Sequence, residues 1–178
     1  MILLLGALAV IALTQQDRID SAVQELRLPL RHEDIIKQQA AEKGVPADLI
    51  AAVIYHESRF RDQTSSAGAR GLMQITPETA EIIENLSGGT TFQQSDLADP
   101  DINISYGTFY LRHLLDKFDG REVAALAAYN AGETNVASWG GSDISVSDIE
   151  FPETRAYVVD VLERRQQYRE TYGDELGF

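Results

Sequence analysis

Apolar residues return every third or fourth position through most of this chain, which is the spacing of one helical face. Ile35, Ile36 and Ala40 start the series, and Gly44 is placed to stop the helix they mark. Pro46 suits the first turn of a second helix, where its missing N–H costs nothing. Leu49, Ile50, Val53 and Ile54 carry the buried face of that helix. Thr76-Pro77-Glu78-Thr79 reads as a third start, with a hydroxyl at the cap, Pro just inside and an acid in the first turn. Residues 86–100 look like a surface connection, after which Ile104, Thr108, Leu111, Leu115 and Phe118 form one stripe ending at Gly120. "REVAALAAYNAG" is short and Ala-rich, so it implies close helix packing before Gly132. Residues 133–151 are polar and predict a loop over a groove, and a last helix carries Tyr157, Val161 and Leu162. Alternating β-branched runs are few, and no repeat of roughly 20–50 residues is present. The expected fold is all-α, built from mostly orthogonal helices.

Residues 2–13, "ILLLGALAVIAL", break the periodic pattern because they are apolar without interruption. A membrane span needs about 20 such residues, so this stretch fits the core of an export signal or a short anchor better. A buried core helix is the competing reading, and the polar "TQQDRIDS" that follows at once argues against it. The expected organisation is a signal or anchor over 1–13, a tether over 14–27, one domain over 28–172 and a tail over 173–178. The full 178 residues give enough length for one sizeable core.

Charge narrows the partners. Twenty-eight Asp and Glu against 15 Lys and Arg leave a formal charge of −13. Nucleic-acid binders need clustered cations for phosphate contacts, so that class is excluded. A polybasic membrane attachment is disfavoured for the same reason. There is no cysteine, which removes disulfides, thiolate metal sites and a lipid-modified Cys. With three His and no HExxH arrangement, no metal site is expected, and His56 reads as a helix residue flanking its neighbour Glu57.

Glu57 is the candidate for chemistry. It stands four residues after Val53 and seven after Ile50, so an unbroken helix aims its carboxyl along the apolar face. Desolvation there would raise its pKa and suit a general acid near neutral pH. On spacing alone the competing reading is stronger: a helix-end Glu that turns outward or pairs with Arg59, Arg61 or Arg70. Ser58 lacks the GxSxG setting of a hydrolase nucleophile. Tyr129 alone would read as a packed ring before a glycine stop.

Ordered motifs change that balance. Glu57-Ser58, Ser65, Gly68-Ala69, Gly71-Leu72-Met73-Gln74, Pro77 and Thr79-Ala80 follow one another, then "NISYGTFYL" from Asn103, "AYNAG" from Ala128 and "FPETRAYV" from Phe151. This series resembles the lytic transglycosylase SLT domain, a family with a goose-type lysozyme-like helical fold and a substrate groove. The resemblance runs from about Leu28 to Tyr172. The loop after Glu57 is about one residue shorter than the family pattern, so Ser65 matches the family's active-site Ser, with Ser66 the next choice.

The resemblance implies cleavage of the β-1,4 bond between N-acetylmuramic acid and N-acetylglucosamine in peptidoglycan strands. Glu57 would serve as the single general acid and base, and no cofactor is implied. Ser65, Met73, Gln74, Tyr129, Asn130 and Tyr157 would shape the substrate site around it. Glu153 and Arg155 would do structural work, and Trp139 would either stack on sugar or anchor its loop. The implied location is the periplasm or cell envelope, with residues 2–13 as a possible inner-membrane anchor. Two alternatives stay open: a hydrolytic lysozyme-type muramidase, with Asp62 a candidate second carboxylate, and a non-catalytic wall-binding module.

Overall fold

The computed structural model describes residue 15, residues 23–88 and residues 93–178. The apolar stretch over 2–13 lies outside the described residues, as does most of the expected tether. The chain divides into two units, Met1–Arg31 and His32–Phe178. In the first, residues 23–27 are helical. Among the described residues no helix is long and apolar enough to cross a membrane.

The described residues of the second unit form helices joined by loops and turns. Its helices are α1 (Glu33–Lys43), α2 (Ala47–Ser58), α3 (Pro77–Ser87), α4 (Pro100–Lys117), α5 (Glu122–Ala131), α6 (Glu133–Trp139), α7 (Pro152–Thr171) and α8 (Gly173–Leu176). Only isolated bridges, Thr64 with Arg70 and Arg70 with Ile75, represent extended pairing among the described residues. The predicted punctuation holds. Gly44 ends α1 in the left-handed region, and the Thr76 hydroxyl accepts the Thr79 backbone N–H at 3.1 Å to cap α3.

Helix α2 is the centre of the core. The sequence pattern predicts one buried stripe, yet every residue from Ala47 to Ile54 is buried. Helix α7 packs along it, α1 touches it as well, and α5 bridges α4 and α7. The small Ala47, Ala51 and Ala52 let neighbours approach the sides that the larger residues do not cover.

Full burial creates one demand at the start of α2, where Asp48 is 0% exposed. Its two oxygens accept from Arg165 Nε at 3.1 Å and from Arg169 Nε at 2.7 Å. Arg165 also holds both oxygens of Glu122 at 2.5 Å, so one guanidinium ties α2, α5 and α7 together. An anion in the first turn of a helix gains further from the helix dipole.

Residues 133–151 differ from the expected loop. They form α6 and two 3₁₀ turns, Gly141–Asp143 and Val146–Asp148. The physical reason is Val136, which is 0% exposed and gives a seven-residue helix an anchor between positive-φ breaks at Gly132 and Gly140. Trp139 meets Phe151 edge to face at 5.1 Å, fastening this segment to the start of α7. The chain's final residues also join the core, with Leu176 of α8 only 3% exposed.

Asp48→Ala should lower the unfolding free energy by about 2–4 kcal/mol, since a buried carboxylate pair is broken while the half-exposed Arg169 can return to water. Urea melts monitored by circular dichroism measure this, and a loss below about 0.5 kcal/mol would contradict the clamp.

Candidate active site

The site is assembled where α2 stops. Ser58 is buried, and its hydroxyl donates to Ile54 O at 3.1 Å and Leu72 O at 2.7 Å. That second bond fastens the end of α2 to the "GLMQ" turn. Arg59 and Phe60 then both adopt the left-handed region, φ 53° and 58°, and turn the chain away sharply. Each such non-glycine residue costs about 1–2 kcal/mol, and burial of the Phe60 ring against Tyr168 opposes that cost.

The loop that follows is held by its own backbone. Ser65 N–H donates to Ala69 O at 2.8 Å, and Ala69 N–H donates to the Ser65 hydroxyl at 3.1 Å. Ser65 is thus placed as the latch of a tight turn. Gln74, at φ 48°, sends its amide nitrogen to Gly71 O at 2.8 Å and Gln63 O at 3.1 Å. Gln63 in turn donates to Glu57 O at 3.2 Å, closing the loop back on the helix end.

Asn103 locks the "GLMQ" turn from the other side. Its Oδ1 accepts from Met73 N–H at 2.8 Å, and its Nδ2 donates to Arg70 O at 2.9 Å and Leu97 O at 3.0 Å. The amide is fully buried, so leaving any of these groups unpaired would be costly. Gly71 has φ 74°, and a Cβ there would strike the Asn103 side chain. A Cβ at Gly107 would likewise strike Met73, whose side chain is 0% exposed and packs over that glycine. Asn103 and Gly107 lie in the "NISYGTFYL" block, whose pattern marks a helix without revealing this clamp.

Glu57 stands over this floor, half-buried at the last turn of α2. Burial pushes its carboxyl up from 4.5 to about 7, and the Tyr157 hydroxyl, acting as a donor, opposes the rise. Tyr157 is 2% exposed, and its hydroxyl reaches toward Glu57 without meeting full hydrogen-bond geometry with any group. The Tyr129 hydroxyl donates to Met73 O at 3.0 Å. Burial raises both tyrosines well above 10, and the Glu57 charge is the next contribution for each. Both therefore stay protonated near neutral pH. Tyr157 is the tyrosine that reaches the carboxyl, whereas Tyr129 is committed to the "GLMQ" backbone.

Asn130 is exposed, and its Oδ1 accepts from the buried Thr154 hydroxyl at 2.7 Å, which orients the amide from the first turn of α7. Tyr129 and Asn130 also line a cleft of about 750 Å³ between α3, α4 and the α5–α6 junction. On its far wall Glu133 faces His113 at 3.2 Å and Lys117. Arg155 donates to Ile149 O at 2.6 Å, so it fastens the preceding turn. Asp62 is exposed and adds nothing to the Glu57 shift.

The raised pKa has a stability consequence. Because the native carboxyl holds its proton up to about 7 while an unfolded one releases it near 4.5, stability falls as pH climbs between those values and then levels off. Glu57→Gln should therefore match the wild type near pH 4 and exceed it at pH 8 by up to about 3 kcal/mol. Denaturant melts at the two pH values give the comparison, and an equal difference at both would mean the carboxyl titrates normally.

The model of the transglycosylase SLT domain family matches residues 34–151. The chain is 35% identical over 160 residues to the soluble lytic murein transglycosylase of Escherichia coli K12, covering 85% of this chain and 25% of that protein. A membrane-bound lytic murein transglycosylase F from Alkalilimnicola ehrlichii is 36% identical over 115 residues, 61% of this chain and 23% of that one. The crystal structure of the 70 kDa soluble lytic transglycosylase of Escherichia coli superposes with a TM-score of 0.78 at 35% identity, over 85% of this chain and 26% of that chain. This chain thus spans about a quarter of the length of the relatives it matches. With this match over most of its length, the same helical lysozyme-like fold and the ordered motifs around Glu57, the chain belongs to the transglycosylase SLT domain family.

Proposed function

We infer that this chain is a peptidoglycan lytic transglycosylase that cleaves the β-1,4 bond between N-acetylmuramic acid and N-acetylglucosamine. The observation that carries this reading is the setting of Glu57: one carboxyl, raised to about 7 by burial, with the Tyr157 hydroxyl and, among the described residues, no second carboxylate acting on it. A group with that pKa can give a proton in one step and take one in the next at neutral pH.

In the first step Glu57 protonates the leaving glycosidic oxygen. The substrate's own acetamido group stabilises the oxocarbenium-like centre. Glu57, now ionised and met by the Tyr157 donor, removes the proton of the muramic 6-hydroxyl, which closes a 1,6-anhydro ring. Ser65, Met73, Gln74, Tyr129, Asn130 and Tyr157 shape the site, the first three through the backbone geometry of the loop and turn. No cofactor enters the reaction.

A hydrolytic muramidase would hold a second carboxylate about 5–9.5 Å from the acid. The exposed Asp62 gives no sign of that role, and a tethered hydroxyl has the advantage of high effective concentration. We assign the activity to residues 28–172, with 14–27 as a tether and 2–13 as an export signal or short anchor. This organisation would place the enzyme in the periplasm or cell envelope, in keeping with the membrane-bound and soluble transglycosylase relatives.

Glu57→Gln should fold normally and lose turnover by at least about 10²–10⁴-fold, because one group performs both proton transfers. A folded variant that clears purified peptidoglycan at wild-type rate would remove Glu57 from the reaction. Mass spectrometry of wild-type products should show muropeptides ending in 1,6-anhydro-N-acetylmuramic acid, each one water lighter than its hydrolytic counterpart. Mainly reducing ends would instead establish hydrolysis. The rate should fall as pH climbs past about 7, where Glu57 loses the proton it must donate.

A further inference from the structure

Cations are outnumbered nearly two to one on this chain, yet two arginines converge on one ring beside the acid. The Arg164 guanidinium lies 4.1 Å above the Tyr55 ring centroid, and that of Arg59 lies 5.6 Å from the same centroid. Tyr55, His56, Arg59, Asp160 and Arg164 enclose a pocket of about 310 Å³. Elsewhere Arg31, Arg112, Arg121, Arg165 and Arg169 each face a carboxylate. Among the described residues, Arg59 and Arg164 have no such partner; Arg70 and Arg155 also face no carboxylate, but each donates to a backbone carbonyl. Arg164 donates to Gln167 Oε1 at 2.6 Å, and the pocket's one acid, Asp160, leans to His56 Nε2 at 3.8 Å.

Two further features mark the pocket. Arg59 occupies a left-handed position, φ 53°, where Gly or Asn would sit with less strain. The pocket is also connected to the active site through His56. The His56 ring meets the Tyr157 ring edge on at 4.5 Å, and the Tyr157 hydroxyl reaches toward Glu57. A ligand in the pocket is thus linked to the acid through two rings, His56 and Tyr157.

We propose that this pocket is a carboxylate-binding subsite, in which Arg59 and Arg164 hold a carboxylate of the peptide carried by the glycan strand. This rests on the peptidoglycan reading given above. Guanidinium groups present a planar fork that matches a carboxylate, and stacking on Tyr55 pre-orients both forks. Charge balance fits a single negative charge. Arg59 and Arg164 against Asp160 leave one net positive charge, and burial lowers the His56 pKa against the opposing pull of Asp160, with Arg164 and Arg59 lowering it further, so the neutral ring is favoured.

The test compares cleavage of unmodified peptidoglycan strands with strands whose amines have been acetylated and whose peptide carboxylates have been converted to amides. Wild-type protein should favour the unmodified strands by about tenfold in kcat/KM, mainly through KM, and added salt should erode the preference. Arg59→Gly combined with Arg164→Gln should lose that tenfold on unmodified strands and leave cleavage of amidated strands unchanged. The Arg59→Gly change relieves the left-handed strain, so a Tm at or above wild type shows that the loss is not unfolding. Equal rates for the double variant and wild type on both substrates, or an equal loss on both, would overturn the subsite while leaving the transglycosylase reading intact. A wild-type chain that cleaves neither substrate overturns the peptidoglycan reading and the subsite with it.

Discussion

A helix buried on every side must satisfy its polar groups at its two ends, and that constraint governs the rest of this structure. From Ala47 to Ile54, α2 meets no water. Its first-turn carboxylate, Asp48, is matched by Arg165 and Arg169 from α7. At the other end Ser58 returns its hydroxyl to Ile54 O and Leu72 O. Glu57 is the polar group left without a cation. Since no charge compensates it, the neutral form is favoured, and that is the source of its raised pKa. The same burial that fixes the helix therefore tunes the acid.

Precision around Glu57 comes from backbone groups more than from side-chain pairs. The "GLMQ" turn is gripped by Asn103 at Met73 N–H and at the preceding Arg70 O, by Ser58 at Leu72 O and by Tyr129 at Met73 O. Gly71 and Gly107 are required because a Cβ at either would occupy space already filled by Asn103 or Met73. A packed floor with its backbone groups bonded resists drift, so Glu57 and the Tyr157 donor keep their relative positions. Tyr157 has a double position in this design. It presents its hydroxyl to Glu57 and its ring edge to His56, linking the acid to the arginine pocket on the surface.

Much of this was legible in the chain. Periodic Leu49, Ile50, Val53 and Ile54 marked α2, Thr76-Pro77 marked the start of α3, and Gly44 marked the end of α1, because local φ/ψ preference and one-sided burial act over a few residues. Ordered motifs placed Glu57, Tyr129, Asn130 and Tyr157 in one family pattern. The segment 133–151 was less legible: its polar composition hid α6, whose formation depends on a single buried side chain, Val136.

What the sequence by itself determined was the helical class, the limits of most of the larger helices and Glu57 as the candidate acid. Only the tertiary structure decided what surrounds that acid. Asp48 and Arg165 are 117 positions apart, Met73 and Asn103 are 30 apart, and Tyr129 and Met73 are 56 apart. No local pattern encodes such pairings, since they form when α2, α4, α5 and α7 pack. The choice between an outward, salt-bridged Glu57 and a desolvated one was of this kind. Spacing favoured the first, and packing produced the second: Arg59 turns to Tyr55, Arg70 to the Gln94 carbonyl, and the Tyr157 hydroxyl from α7 reaches the buried carboxyl.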